Sequence, residues 1–296
     1  MSEIGSALSS GYARAYNRLK VAAICLKSVT TEEARRKVEP MRKVNRKRHI
    51  VSKWRKTSVM LRNAKLRAHV PETRKMTRTT LHELLNQYGM VYIKPDSGTY
   101  GNGVMRVEKS SLADGKSYKY QNGVVKKSFT DFDNLYNSIR KRTRNRLYLV
   151  QKGIHLTKYH KRRFDIRVMV QQTPNKKWES TGVIGRVAHP KKIVTNVHNG
   201  GTLKPIETLL SAYVSGTAKK KYIQRLRKLG LSTARQLHTT FRGLKEIGLD
   251  VALDNKLHPW VLEVNTSPDP YIFKRLKDKS IFGKIRRYSR AYGKPV

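Results

Sequence analysis

The chain has 296 residues, with 64 Lys or Arg against 20 Asp or Glu, for a formal net charge of +44. A hydrophobic fraction of 38% and this length allow one large domain or two small ones. No apolar run approaches the about 18 residues of a membrane helix. The N-terminus lacks signal-peptide order. Cys25, the single cysteine, excludes intrachain disulfides and a cysteine-based zinc site. These features point to the cytoplasm. So basic a surface either attracts a polyanion (nucleic acid, anionic polymer, anionic membrane) or serves solubility alone.

Residues 1–50 read as one or two helices, over 12–26 and from Thr31, followed by a basic linker. A helix is expected over 53–66, then an extended link through Val70, Pro71, Glu72 and Thr73. Residues 80–88 form an amphipathic helix through Leu81, Leu84, Leu85 and Tyr88, ended by Gly89. Val91, Tyr92 and Ile93 read as a buried strand that Lys94 and Pro95 end. A loop with Gly98, Gly101 and Gly103 follows, then a returning strand from Val104 to Val107. A polar hairpin turns at Asn122 and Gly123. Thr130 and Asp131 cap a helix to about Arg140. Strands are expected at 147–150, 164–170 and 178–187, and a glycine-ended loop at 195–201. A long helix over 222–248, with a break near Gly230, precedes two strands at 249–254 and 259–264. The end of the chain is basic, with apolar points at Phe273, Leu276, Ile281 and Phe282.

Two stretches carry chemistry. Around Gly98, Gly101 and Gly103 the hairpin tip is mostly bare backbone, so its N–H groups can approach an anion that Lys94 neutralises. The residues alone leave open a phosphate flap or an ordinary hairpin. In the last strand pair, Glu263 and Asn265 share one face, and a hairpin brings Asp250 beside Glu263. Three oxygen donors on a rigid sheet suit Mg²⁺. The alternative pairs Glu263 with one of the many arginines.

Together these stretches resemble the ATP-grasp proteins, and specifically the endospore coat-associated YheC/YheD family. The matching residues include Ser52, Lys53 and Trp54; Val70 to Thr73; the glycine loop; Gln151, Lys152, Gly153 and Ile154; Phe164 to Arg167; Thr195 to Gly201; and Glu263 to Asn265. The resemblance implies an α+β ATP-grasp fold, with two subdomains clamping the nucleotide and a short basic helical extension before them. It divides the chain into 1–50, the extension; 51–150, a remnant preceding segment and the first subdomain; 151–275, the second subdomain with the metal site; and 276–296, a basic tail. It implies that Lys53 and Lys94 contact the α- and β-phosphates of ATP and that Ser97, Gly98, Gly101 and Gly103 belong to the mobile loop. Gln151, Lys152 and Ile154 form the adenine hinge, with Leu262 as an apolar floor. Asp250, Glu263 and Asn265 ligate Mg²⁺. Arg167 and Asn196 stand near the γ-phosphate, where a cation steadies a transferring phosphoryl group.

The implied activity is an ATP-dependent carboxylate–amine or related ligase, working through an acyl phosphate on an anionic polymer or acidic peptide. The sequence departs from such ligases in two places. Thr157 to Lys161 offer no carboxylate for the ribose, and residues 1–50 do not read as an α/β domain. The alternatives are a non-catalytic nucleotide-binding protein among spore coat components and a nucleic-acid or other polyanion-binding protein. The expected location is the cytoplasm, with association to the endospore coat.

Overall fold

The computed structural model describes residues 48–112, 115–144, 146–190, 192–195, 200–294 and 296. The helices expected within 1–47 lie outside the described residues.

The first sheet is built from β1 (Thr73–Lys75), β2 (Met90–Pro95), β3 (Met105–Leu112), β4 (Gly115–Asn122), β5 (Val125–Phe129) and β6 (Tyr148–Lys152). Their order is β1-β6-β2-β3-β4-β5, and every neighbouring pair is antiparallel. Helices α3 (Arg78–Tyr88) and α4 (Phe132–Thr143) supply its core. Leu81, Leu84, Leu85, Leu135 and Ile139 meet Val91, Ile93, Val107 and Val150. Reciprocal hydrogen bonds between Thr77 and Thr80 start α3, and Gly89 ends it in the left-handed conformation at φ 67°.

The second sheet runs β10 (Thr202–Lys204), β9 (Trp178–Val187), β8 (Arg162–Gln172), β11 (Glu246–Leu253), β12 (Pro259–Asn265), with β7 (Lys158–Tyr159) pairing β8. Along β8, Phe164, Ile166, Val168 and Val170 pack with Leu226, Leu229, Ala234 and Leu237 of the long helix α6 (Gly216–Thr240). Met169, on the other face, packs with Ile272 and Phe273 of the 3-10 helix Tyr271–Arg275 and with Ile285 of α7 (Lys279–Ala291). The face bearing Met169 also carries Asp165 and Arg167. Helix α5 (Ile206–Leu210) completes the α6 side of the core.

Several elements differ from expectation. The helix over 53–66 is two, α1 (Lys53–Leu61) and α2 (Ala64–Arg67), because the Asn63 side chain accepts from Leu66 N and restarts the helix. The extended link ends in a strand, β1, which finds its hydrogen-bond partners in β6. Lys94 and Pro95 do not end their strand but belong to it. The long helix starts at Gly216, ends at Thr240 and runs unbroken past Gly230. A Cβ there would lie 2.9 Å from methyl carbons of Val168 and Val170, so this glycine lets helix and sheet approach closely. Residues 246–248, expected as helix, open β11.

Candidate nucleotide site

A cavity of about 560 Å³ is lined by residues of both sheets and of the glycine loop. That volume is within the usual range for a ligand pocket, roughly 300–1,000 Å³.

Asp96 organises the glycine-loop side. Its carboxylate accepts from Ser52 Oγ at 3.1 Å and from Trp54 N at 2.7 Å. Its carbonyl accepts from Lys53 N at 2.9 Å. The start of α1 is thereby stapled to the end of β2, and Lys53 is aimed at the loop. Lys53 Nζ donates to Gly98 O at 3.0 Å and lies 3.5 Å from Glu263 Oε1. Gly101 and Gly103 take φ of 74° and 76°, where side chains are disfavoured. A Cβ on Gly103 would sit 2.8 Å from Tyr148 Oη, and one on Gly101 3.2 Å from Val194 Cγ1. Through Gly101 the loop therefore lies close to Val194, in the connection between β9 and β10 of the second sheet.

Lys94 points across the gap between the sheets. Its Nζ donates to Gln151 Oε1 at 2.5 Å and, more weakly, to Leu262 O at 3.5 Å. Burial pushes its ammonium down to about 8; Glu263 opposes the shift and Lys53 adds to it. Gln151 Nε2 donates to Thr73 Oγ1 at 2.9 Å, so this side chain is committed to positioning Lys94. Lys152 Nζ lies between the rings of Tyr88 and Trp260, 4.7 and 5.3 Å from their centroids. Ile154, Leu156 and Leu262 add apolar lining.

A buried ionic network forms the second-sheet wall. Arg167 faces Asp250 across β8 and β11, donating from Nε at 2.5 Å and from Nη2 at 3.1 Å. Arg186, on β9, bridges Asp165 at 2.6 Å and Asp250 at 2.9 Å. Thr195 Oγ1 also donates to Asp165, at 2.6 Å. Burial alone would raise the Asp250 pKa, but Arg167 and Arg186 hold it below the usual carboxylate range. Burial likewise opposes the charge on Arg186, and Asp165 and Asp250 outweigh it and raise its pKa.

The expected metal ligands are brought together. Asp250 stands opposite Glu263, and Gly248 opposite Asn265. Asn265 Nδ2 lies 3.4 Å from Asp250 Oδ2. Among the described residues no group of three His, Cys, Asp or Glu side chains gathers as a metal cluster. Two carboxylates and one amide oxygen still match the hard oxygen donors that Mg²⁺ takes.

Of the remaining expected residues, Lys53, Lys94, Gly98, Gly101, Gln151, Lys152, Ile154, Arg167 and Leu262 line the cavity. Ser97 and Gly103 belong to the loop but are not among the lining residues. Asn196 lies outside the described residues. Arg186 was not anticipated. Its signal was an arginine inside the apolar run Val183, Ile184, Gly185, Val187, facing Asp165 of the neighbouring strand.

Two antiparallel sheets facing each other across such a cavity, with a glycine flap from one and a carboxylate hairpin from the other, form an ATP-grasp fold. Residues 42–295 match the YheC/D-like ATP-grasp family, and the chain belongs to that family. The endospore coat-associated protein YheD of Bacillus subtilis strain 168 is 28% identical over 199 residues, covering 65% of this chain and 42% of YheD. Endospore coat-associated protein YheC of the same organism is 20% identical over 225 residues, covering 75% of this chain and 61% of YheC. The chain thus spans less than two thirds of either relative. Among solved structures, D-cycloserine synthetase DcsG has the same fold at a TM-score of 0.52 and 12% identity, covering 81% of this chain and 70% of DcsG. The family and the α+β fold expected from the motifs are borne out. Among the described residues, no helix is long and apolar enough to cross a membrane.

Proposed function

We propose that this protein binds Mg²⁺-ATP in the cavity and uses it to join a carboxylate to an amine or related nucleophile. The observation that carries this reading is the convergence on one cavity of Lys53, Lys94, the glycine loop, Arg167, and the oxygen donors Asp250, Glu263 and Asn265. Lys53 and Lys94 supply cations for the α- and β-phosphates, and the loop supplies backbone N–H donors. Lys152 and Ile154 border the base, over Leu262. Arg167 steadies charge on the transferring phosphoryl group, and Arg186 holds Asp165 and Asp250 in place behind it. Glu263 and Asn265, with Asp250, would hold Mg²⁺, which neutralises phosphate charge when bound.

In the reaction, a carboxylate oxygen of the acceptor bonds to the γ-phosphorus and the bond to the β-phosphate oxygen breaks, releasing ADP. The amine nitrogen then bonds to the acyl carbon, phosphate leaves with its bridging oxygen, and the amine loses a proton. The basic lining favours an anionic acceptor, such as an acidic peptide or polymer. The coat-associated names of YheC and YheD support a role at the endospore coat.

The test has two arms. ATP titration with and without Mg²⁺ compares the wild type with Glu263→Ala. The variant is expected to lose the Mg²⁺-dependent part of the affinity; retention of that part removes Glu263 from the metal site. Turnover with a panel of acidic acceptors is expected to release ADP. Tight Mg²⁺-ATP binding with no ADP release for any acceptor would instead favour a non-catalytic nucleotide-binding coat component.

A further inference from the structure

α1, α2 and α6 lie together on the outer side of the second sheet. Asn63 Nδ2 reaches Gln236 Oε1 at 3.4 Å, and Gln236 Nε2 donates to Val59 O at 3.1 Å. No Asp or Glu occurs within 48–71 or within 208–245. α6 buries Leu226, Leu229, Ala234 and Leu237 and turns Lys221, Arg225, Lys228 and Arg235 to solvent. Their spacing places them in one stripe, with Ser232 between them, spanning about 21 Å at 1.5 Å per residue. Arg62 and Lys65 are exposed beside it on the neighbouring α1 and α2 layer.

Among the described residues none of these cations is ion-paired, whereas elsewhere Arg74 pairs with Glu72 and Glu83, and Arg78 with Asp133. Like charges one helical turn apart, such as Lys221 and Arg225, destabilise a helix. A polyanion laid along the stripe removes that repulsion. The chemistry of the face narrows the partner. Arginine forks and the Ser232 hydroxyl suit phosphate oxygens. The large apolar and aromatic side chains that are exposed elsewhere, such as Tyr100, Val124 and Tyr271, are absent from these three helices. The face therefore has no platform for stacking unpaired bases and no wedge for a membrane.

We propose that the acid-free face of α1, α2 and α6 docks the phosphodiester backbone of duplex nucleic acid, without base readout. It acts independently of the nucleotide cavity, because Ile166 and Val168 separate the two: they face α6, while Asp165 and Arg167 face the cavity. The test is anisotropy of the full chain with a labelled mixed-sequence DNA duplex of about 20 base pairs, across a salt series. Replacing Arg225, Lys228 and Arg235 together by Gln is expected to reduce the slope of log affinity against log salt by about 2.7, at about 0.9 per lost phosphate contact. The same three-charge loss at Lys126, Lys127 and Lys141, on β5 and α4, is expected to leave the slope unchanged. ATP affinity is expected to be the same in both variants. Equal slope losses in the two variants would show diffuse attraction and overturn the proposal. So would tighter binding of polyglutamate of matched charge, or a duplex affinity that follows base sequence.

Discussion

Arg186 shows how the wall of the cavity is held. The residue is 4% exposed, and its guanidinium bridges Asp165 and Asp250, both buried. Removing one partner from such a network leaves uncompensated charge, at a cost of about 3–5 kcal/mol. Arg186→Gln is therefore expected to lower unfolding free energy by that amount in urea titrations. Adding Asp165→Asn to it is expected to return part of the loss, because one stranded carboxylate disappears. Lys56 is the opposite case. It is 4% exposed, and among the described residues its Nζ donates only to Ile50 O, at 2.9 Å. Burial lowers its pKa to about 8; Glu263 opposes this, Lys53 adds to it and Asp96 opposes it. An unfolded lysine titrates near 10.4, so between about 8 and 10.4 the unfolded chain binds the extra proton and stability rises with pH. Below about 8 the full penalty is present. Lys56→Met is expected to raise unfolding free energy at pH 7 by about 1–3 kcal/mol, the shift less the lost hydrogen bond. Its advantage is expected to shrink as pH climbs from 8 to 10; an advantage constant over that range would contradict the assigned burial of charge.

At the scale of elements, two helix glycines make opposite predictions. Alanine is favoured over glycine in a helix interior by about 1 kcal/mol. At Gly283 of α7 a Cβ meets nothing within 4 Å, so Gly283→Ala is expected to raise the thermal midpoint by a few degrees. At Gly230 of α6 the Cβ would press on Val168 and Val170 at 2.9 Å. Overpacking costs about 1–3 kcal/mol and outweighs the propensity gain, so Gly230→Ala is expected to lower the midpoint. The same contacts explain why the sequence misleads there: a glycine inside a helical pattern reads as a break when its reason lies on the sheet. β1 was hidden for a related reason. Its three residues, Thr73, Arg74 and Lys75, have no apolar period, and only the hydrogen bonds to β6 make them a strand. The glycine flap and the carboxylate hairpin were legible because charges and glycines interrupt apolar runs where burial makes them costly. Arg186 carried the same signal at one position, and was lost among so many arginines and lysines.

Across the molecule, the two sheets keep separate cores, one around Leu84 and Ile93 and one around Val168 and Leu249. They meet at the cavity through polar and cation–π contacts, among them Lys53 with Gly98 O, Lys94 with Leu262 O, and Lys152 with Trp260. A ligand held by both sheets stabilises their joint native state and has no counterpart in the unfolded chain. At 100 times its dissociation constant such a ligand adds about 2.7 kcal/mol. For a folded unit of this size that corresponds to a rise in thermal midpoint of about 5–10 °C. Mg²⁺-ATP is expected to produce this rise in the wild type, measured by differential scanning fluorimetry at saturating nucleotide. With EDTA in place of Mg²⁺ the rise is expected to be smaller, and in Glu263→Ala it is expected to be the same with either. A full rise in Glu263→Ala that still depends on Mg²⁺ would move the metal away from the β11 and β12 hairpin. No rise in the wild type would remove the nucleotide from the cavity altogether.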